Sequence, residues 1–224
     1  MSRGFELIDV SHSIEDGMIT YQGLPAPVIT DHLSREASRD IYAPGTEFHI
    51  GKLEMVANTG TYLDTPFHRY ARGRDLEGLD LYSVANLDGL VVRFADLEAG
   101  GIRAESFNDL DVRNKAVLLH TGWDRHWRTD EYFSGKHPFL TADAANYLAK
   151  NGAALVGIDS YNIDSTADAA RPAHSILLGH DIPIVEHLRG LSDLPDTGFK
   201  FFAVPIKIKN FGTFPVRAFG LVNA

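Results

Sequence analysis

The sequence predicts an α/β fold in which strands outweigh helices, and three observations carry that reading. Short β-rich apolar runs recur at 89–94, 116–120 and 155–158, the pattern of buried strands. A well-punctuated helix lies between the last two, so 116–158 reads as β-helix-β. No repeat, low-complexity stretch or linker interrupts the 224 residues, a length suited to one domain over 1–224.

In chain order, Leu7 to Val10 is a short apolar strand that ends at Ser11-His12. Residues 15–45 hold Gly17, Gly23, Pro25, Pro27, Pro44 and Gly45, the punctuation of an irregular excursion, and loops of that length often carry function. Glu47 to Ala57 alternates unevenly and reads as a strand delivering Asn58 to a site. Leu79 to Leu87 reads as a short helix. Thr141 is a candidate N-cap, Asp143 supplies an acidic first turn, and Lys150 with Gly152 marks the helix end. His174 to Leu178 reads as a further short helix and Ile182 to Val185 as a strand. Phe199 to Ile208 and Phe214 to Val222 read as two closing strands.

Composition narrows the function classes. The chain is 44% hydrophobic and 23% charged, which supports a sizeable core and argues against disorder. A formal net charge of −9 disfavours nucleic acid and anionic membrane surfaces as partners, since both need a basic face. The absence of cysteine removes disulfides, thiolate metal ligands and cysteine nucleophiles. Acidic Glu6 and Asp9 do not suit a signal peptide, and no apolar run approaches the roughly 18 residues of a membrane span, so a cytoplasmic protein is expected.

The densest chemistry lies in Asn58-Thr59-Gly60-Thr61-Tyr62-Leu63-Asp64-Thr65-Pro66-Phe67-His68. Polar side chains recur at 58, 62, 64 and 68, and Gly60 and Pro66 shape the backbone between them. A carboxylate and an imidazole at Asp64 and His68 suit metal binding or general acid–base work. Pro66 between them argues against a helical turn, so a shared face is expected from loop geometry. A second cluster runs from His174 to His187, where a helix start at His174 and a strand end at Glu186 would meet; His180 and His187 read as solvated surface. His49 reads as a packed or exposed strand histidine. Trp123 follows Thr121-Gly122 at a strand end, where α/β sites tend to lie, and with Phe67 is a candidate pocket wall.

These segments resemble the cyclase-like metal-dependent hydrolases, the group that includes bacterial kynurenine formamidase and isatin hydrolase. The family hallmark H-x-G-T-H-x-D-x-P-x-H is matched by N-T-G-T-Y-L-D-T-P-F-H over 58–68. Ile8 to His12, the Leu118-Leu119-His120-Thr121-Gly122-Trp123 segment, Gly157-Ile158-Asp159, the spacing from His174 to Glu186, and the Pro205 and Pro215 segments are similar as well. The resemblance implies a swivelling β/β/α fold with a mixed sheet and flanking helices, assembled as a homodimer or homotetramer. It implies hydrolysis of an amide, lactam or lactone bond in a small, aromatic or cyclic substrate. It assigns metal ligation to Asp64, His174 and Glu186, and the proton shuttle to His68.

Two positions depart from the hallmark: Asn58 and Tyr62 stand where the family places histidine ligands of a first metal. A neutral carbonyl and a phenol whose unperturbed pKa is about 10 are poor substitutes for imidazole on zinc. A dinuclear zinc site is therefore not expected. One divalent ion, Mn²⁺, Zn²⁺ or Mg²⁺, fits one histidine and two carboxylates. Asn58 would then contact substrate and Tyr62 would donate to an oxyanion. Two alternatives stay open: a metal-free cyclase, dehydratase or isomerase with His68 as base, and a non-catalytic ligand-binding homologue.

Overall fold

The computed structural model describes residues 4–94, 97 and 100–223. Its strands in chain order are β1 (Phe5–Asp9), β2 (Val28–Leu33), β3 (Ile50–Glu54), β4 (Tyr62–Asp64), β5 (Leu87–Arg93), β6 (Gly101–Ile102), β7 (Lys115–His120), β8 (Phe139–Leu140), β9 (Leu155–Ile158), β10 (Ile184–Glu186), β11 (Phe199–Phe202), β12 (Thr213–Pro215) and β13 (Phe219–Asn223). The helices are α1 (Arg35–Ser38), α2 (Pro66–Arg69), α3 (Ala142–Lys150) and α4 (Pro172–Gly179). Nine of the strands form one mixed sheet, in the order β1-β13-β11-β5-β7-β9-β10-β4-β12. Its centre, β5-β7-β9-β10, is parallel, and both flanks are antiparallel.

The parallel centre is buried on both faces, as its unbroken apolar runs require. Alternation along β7 sorts the side chains: Val117 and Leu119 join the core under the helices with Leu148 and Leu177, while Ala116 and Leu118 join the opposite core with Leu63, Val185 and Phe201. The β-helix-β reading of 116–158 is met by β7 and β9, parallel neighbours joined through α3. Thr141 occupies the N-cap of α3, but its hydroxyl donates to the Ile102 carbonyl at 2.7 Å and accepts no hydrogen bond from the first turn of the helix. The described residues contain no helix long and apolar enough to cross a membrane.

Several local expectations are corrected. The excursion at 15–45 is not irregular throughout: β2 pairs antiparallel with β3, and the two make a separate ribbon whose residues are almost all exposed. The strand expected at 47–57 therefore belongs to that ribbon, outside the main sheet. Only a 3₁₀ turn at Leu81–Ser83 forms where a helix was expected over 79–87. The closing strands are shorter than their apolar runs, because 199–208 keeps only β11 and 214–222 divides into β12 and β13. Pro66 starts the single turn α2 at a position where its missing N–H costs nothing, so Asp64 ends a strand and His68 sits on the turn that follows.

Candidate active site

Three neighbouring segments converge at one end of the sheet. β4 lies between β10 and β12, with Asp64 opposite both Ile184 and Thr213 and Tyr62 opposite both Glu186 and Pro215. α4 carries His174 onto the same place. Gly212 permits the junction: a Cβ there would collide with the backbone of His68, and its carbonyl accepts from both the Thr65 N–H (2.8 Å) and the Thr65 hydroxyl (2.9 Å).

Asp64 is fully buried. Its Oδ1 accepts from the Thr213 hydroxyl, and its Oδ2 has no hydrogen-bond partner. His174 is anchored through Nδ1, which donates to Asp164 Oδ2 at 2.7 Å, so its Nε2 faces the site. That nitrogen lies 3.7 Å from Asp64 Oδ2 and 3.7 Å from Glu186 Oε1. These distances are too long for hydrogen bonds. They are close to the roughly 3.4 Å expected between ligand atoms each about 2.1 Å from one tetrahedral ion. An orphaned carboxylate oxygen and a histidine oriented by a second carboxylate are what a metal-holding cluster shows. Asp64, His68 and His174 also offer ligand atoms that all lie within 4.8 Å of one another. The residues thus fit a divalent ion, with Asp64 and His174 common to every arrangement and His68 or Glu186 completing it.

Glu186 is more heavily engaged than Asp64. Its Oε2 accepts from the Tyr62 hydroxyl at 2.7 Å and its Oε1 from the Ile163 N–H at 2.6 Å. Burial pushes Glu186 up from the ordinary carboxylate range, Asp64 adds to the push, and His174 opposes it. Burial would also raise Asp64, but His68, His174 and Thr213 outweigh it and hold Asp64 below the usual value. Burial alone would lower His174; Glu186, Asp164 and Asp64 overcome it and push the imidazole up to about 10. A proton on His174 therefore offsets part of the cluster's negative charge, and a divalent cation would take that proton's place. Tyr62 is 1% exposed, and burial first, then Glu186 and Asp64, drive its hydroxyl well above its ordinary value, so it remains a neutral donor.

Thr213 settles the state of His68. The ionised Asp64 can only accept, so the one hydroxyl proton of Thr213 goes to it, and Thr213 accepts from His68 Nδ1 at 2.8 Å. In the neutral ring Nε2 is then the bare, basic nitrogen. The His68 side chain is 36% exposed, at the mouth of the cluster.

The cavity over this cluster measures about 490 Å³, a size suited to a small ligand. Asn58, Tyr62, His68, His174 and Glu186 all line it, joined by Tyr21 from the excursion and by Arg69 and Arg171. Tyr62 hydrogen-bonds to Glu186, so its proton does not point freely at a substrate. Trp123 and Phe67 are not among the lining residues. Trp123 is 3% exposed, packs with Tyr132 and Tyr161, and donates its indole N–H to the Tyr132 carbonyl at 3.3 Å. His187 is fully buried, 2.8 Å from the Tyr132 hydroxyl, whereas His180 is exposed as expected. His49 is exposed and pairs with Asp31 at 2.7 Å. Asp164, Thr213 and Arg171 escape the sequence reading. Only Asp164 had a local signal, standing just beyond a buried strand end.

Comparison with known proteins identifies the family and the fold. The family model described as "Putative cyclase" matches residues 8–165. A kynurenine formamidase of Bacillus cereus is 30% identical over 95% of this chain and 96% of its own length, and that of Bacillus anthracis is 30% identical over 94% and 95%. Among solved structures, an isatin hydrolase bound to the product analogue thioisatinate superposes with a TM-score of 0.84 at 19% identity, covering 99% of this chain and 94% of that one. A predicted metal-dependent hydrolase from Bacillus stearothermophilus gives 0.77 at 25% identity, covering 98% and 99%. With the matched region running from the first strand through the motif to the loop that orients His174, this chain belongs to the cyclase family.

Proposed function

We propose that the protein is a metal-dependent hydrolase of an amide C–N bond in a small, cyclic or aromatic substrate, using one divalent ion. The observation that carries the reading is the orphaned Oδ2 of buried Asp64, set 3.7 Å from the His174 nitrogen. The kynurenine formamidase and isatin hydrolase relatives support the bond type. An ion held by these residues would supply the Lewis acidity that makes water nucleophilic near neutral pH.

The chain's own residues supply the rest. Asp64 and His174 would hold the ion, with Glu186 alongside. His68 Nε2 takes the proton from the attacking water, because Nδ1 is committed to Thr213, and returns it to the departing nitrogen. Asp164 keeps Nδ1 of His174 protonated and its Nε2 turned inward. Tyr62 donates its hydroxyl to Glu186 and holds that carboxylate in place, and Asn58 offers its amide to the substrate from the cavity wall. Replacement of His68 by Ala tests the scheme on a formanilide-type substrate: turnover falls about 10²–10⁴-fold with metal content unchanged. Unchanged turnover would overturn it.

The reading includes a homo-oligomer. Ile29 and Leu53, paired on one face of the ribbon, Ile50 on its other face, and Phe48 and Ile41 beside it are 46–64% exposed, apolar area that a second copy of the chain would cover. Light scattering at micromolar concentration would return at least a dimer; a monomer would refute this part.

A further inference from the structure

We infer that the substrate carries an anionic group, a carboxylate in the simplest case, and that Arg171 is the residue that reads it. The inference rests on the amide-hydrolase reading and narrows its substrate class.

The surroundings of the cavity are acidic, since Glu186 lines it and Asp64 and Asp164 are buried against the lining residue His174. An arginine in its wall would be expected to pair with one of them. Arg171 does not: among the described residues no carboxylate lies within ion-pair distance of it. One guanidinium nitrogen donates to the Ser165 carbonyl at 2.8 Å. The nearby Asp168 carboxylate turns away and accepts from the Ala170 N–H at 2.9 Å. A guanidinium has five N–H donors in a planar fork, so four remain without a protein acceptor among the described residues in a side chain that lines the cavity.

The placement is fixed relative to the chemistry. Arg171 is the N-cap of α4 and His174 lies one turn further along, so both ride on one element. Arg171 has φ 49° and ψ 61°, a left-handed conformation uncommon for a residue with a Cβ, just before the rigid Pro172. The free end of α4 is not itself the anion site, because Asp164 already accepts from the Ala173 N–H (2.6 Å) and the His174 N–H (3.1 Å). That leaves the side chain of Arg171.

The neighbouring wall suits a flat substrate. The rings of Tyr21 and Tyr161 stack at 4.6 Å, and the charge of Arg171 is felt by both hydroxyls. A planar molecule lying along Tyr21 would present its carboxylate to Arg171 and its amide towards His68. Arg69 also lines the cavity, but it is exposed and its Nε is bound to Ser175 Oγ at 3.1 Å, so it serves as a control cation.

Benzoate and benzamide, nearly identical in shape and different in charge, provide the probe. Their binding to the metal-loaded protein is measured by calorimetry for the wild type and for Arg171→Met, Arg171→Lys and Arg69→Ala. The wild type is expected to prefer benzoate by about tenfold or more. Arg171→Met, which keeps the apolar stem, brings the ratio near one. Arg171→Lys keeps part of the preference without the fork, and Arg69→Ala keeps nearly all of it. A preference that survives Arg171→Met, as it would if benzoate bound the metal, overturns the inference; so does equal or undetectable binding in the wild type. Because this readout needs no turnover, an intact preference in a protein that cleaves no amide would sink the hydrolase reading alone.

Discussion

The two walls of the cavity are built on opposite principles. The inner wall, from β4, β10, β12 and the start of α4, is buried and cross-braced: Asp64 is 0% exposed, Glu186 1% and His174 7%. Each is tied by side-chain hydrogen bonds to a residue of another segment, Thr213, Tyr62 and Ile163, or Asp164. The outer wall comes from the excursion around Tyr21 to Leu24, which leads into a ribbon with its apolar side chains in solvent. Chemistry that needs ligand atoms held to a fraction of an ångström belongs on the braced wall. Contact with a substrate of variable shape belongs on the exposed one.

The sharpest way to break this contrast is at Thr213. Thr213→Val keeps the shape but removes the hydroxyl that fixes the tautomer of His68 and satisfies Asp64. A fall in kcat of about 10–100-fold with KM nearly unchanged is expected, and Thr213→Ser restores most of it. Equal kcat in the Val variant would show that the braced wall does not govern proton transfer. The outer wall should fail differently. Tyr21→Ala removes one ring of the stacked pair and should raise KM about 5–10-fold while sparing kcat. A kcat loss of the same size would erase the distinction between the walls.

The smallest effect concerns stability in acid. His12 stacks on Trp127 at 3.8 Å, and burial, with Arg189 adding, lowers its pKa from 6.5 to about 3. The unfolded chain binds this proton more readily, so the stability it represents is complete above pH 6.5 and lost as pH falls towards 3. Allowing for its residual exposure, roughly 2 kcal/mol is at stake. His12→Phe, which keeps the stack without a titrating nitrogen, should flatten the acid limb of the unfolding midpoint by that order; an unchanged limb would place the acid sensitivity elsewhere.

The same contrast explains what the sequence could reveal. β7 and β9 were legible because strands buried on both faces read as unbroken apolar runs. Asp64, His68, His174 and Glu186 stood out because two short segments carry all four. Thr213 did not, since it meets Asp64 across 149 residues and only strand register brings them together. Arg171 carried no local signal, since only the fold brings it into the cavity wall. The uneven alternation of 47–57 marked β3 as a strand, but β2 and the pairing of the two were hidden because neither face of the ribbon is buried. Trp123 misled for the opposite reason: a tryptophan at a strand end suggests a pocket, yet its N–H is spent on Tyr132 inside the core.

The central claim is that Asp64 and His174 hold one divalent ion although Asn58 and Tyr62 replace the two histidines of the family hallmark. Elemental mass spectrometry on protein purified without chelator or nickel affinity tests it most directly, with Asp64→Asn alongside. The account predicts about one manganese, zinc or magnesium ion per chain in the wild type and a large loss in Asp64→Asn. No metal in the wild type, even after incubation with Mn²⁺ and Zn²⁺, would contradict it and favour a metal-free enzyme with His68 as its base.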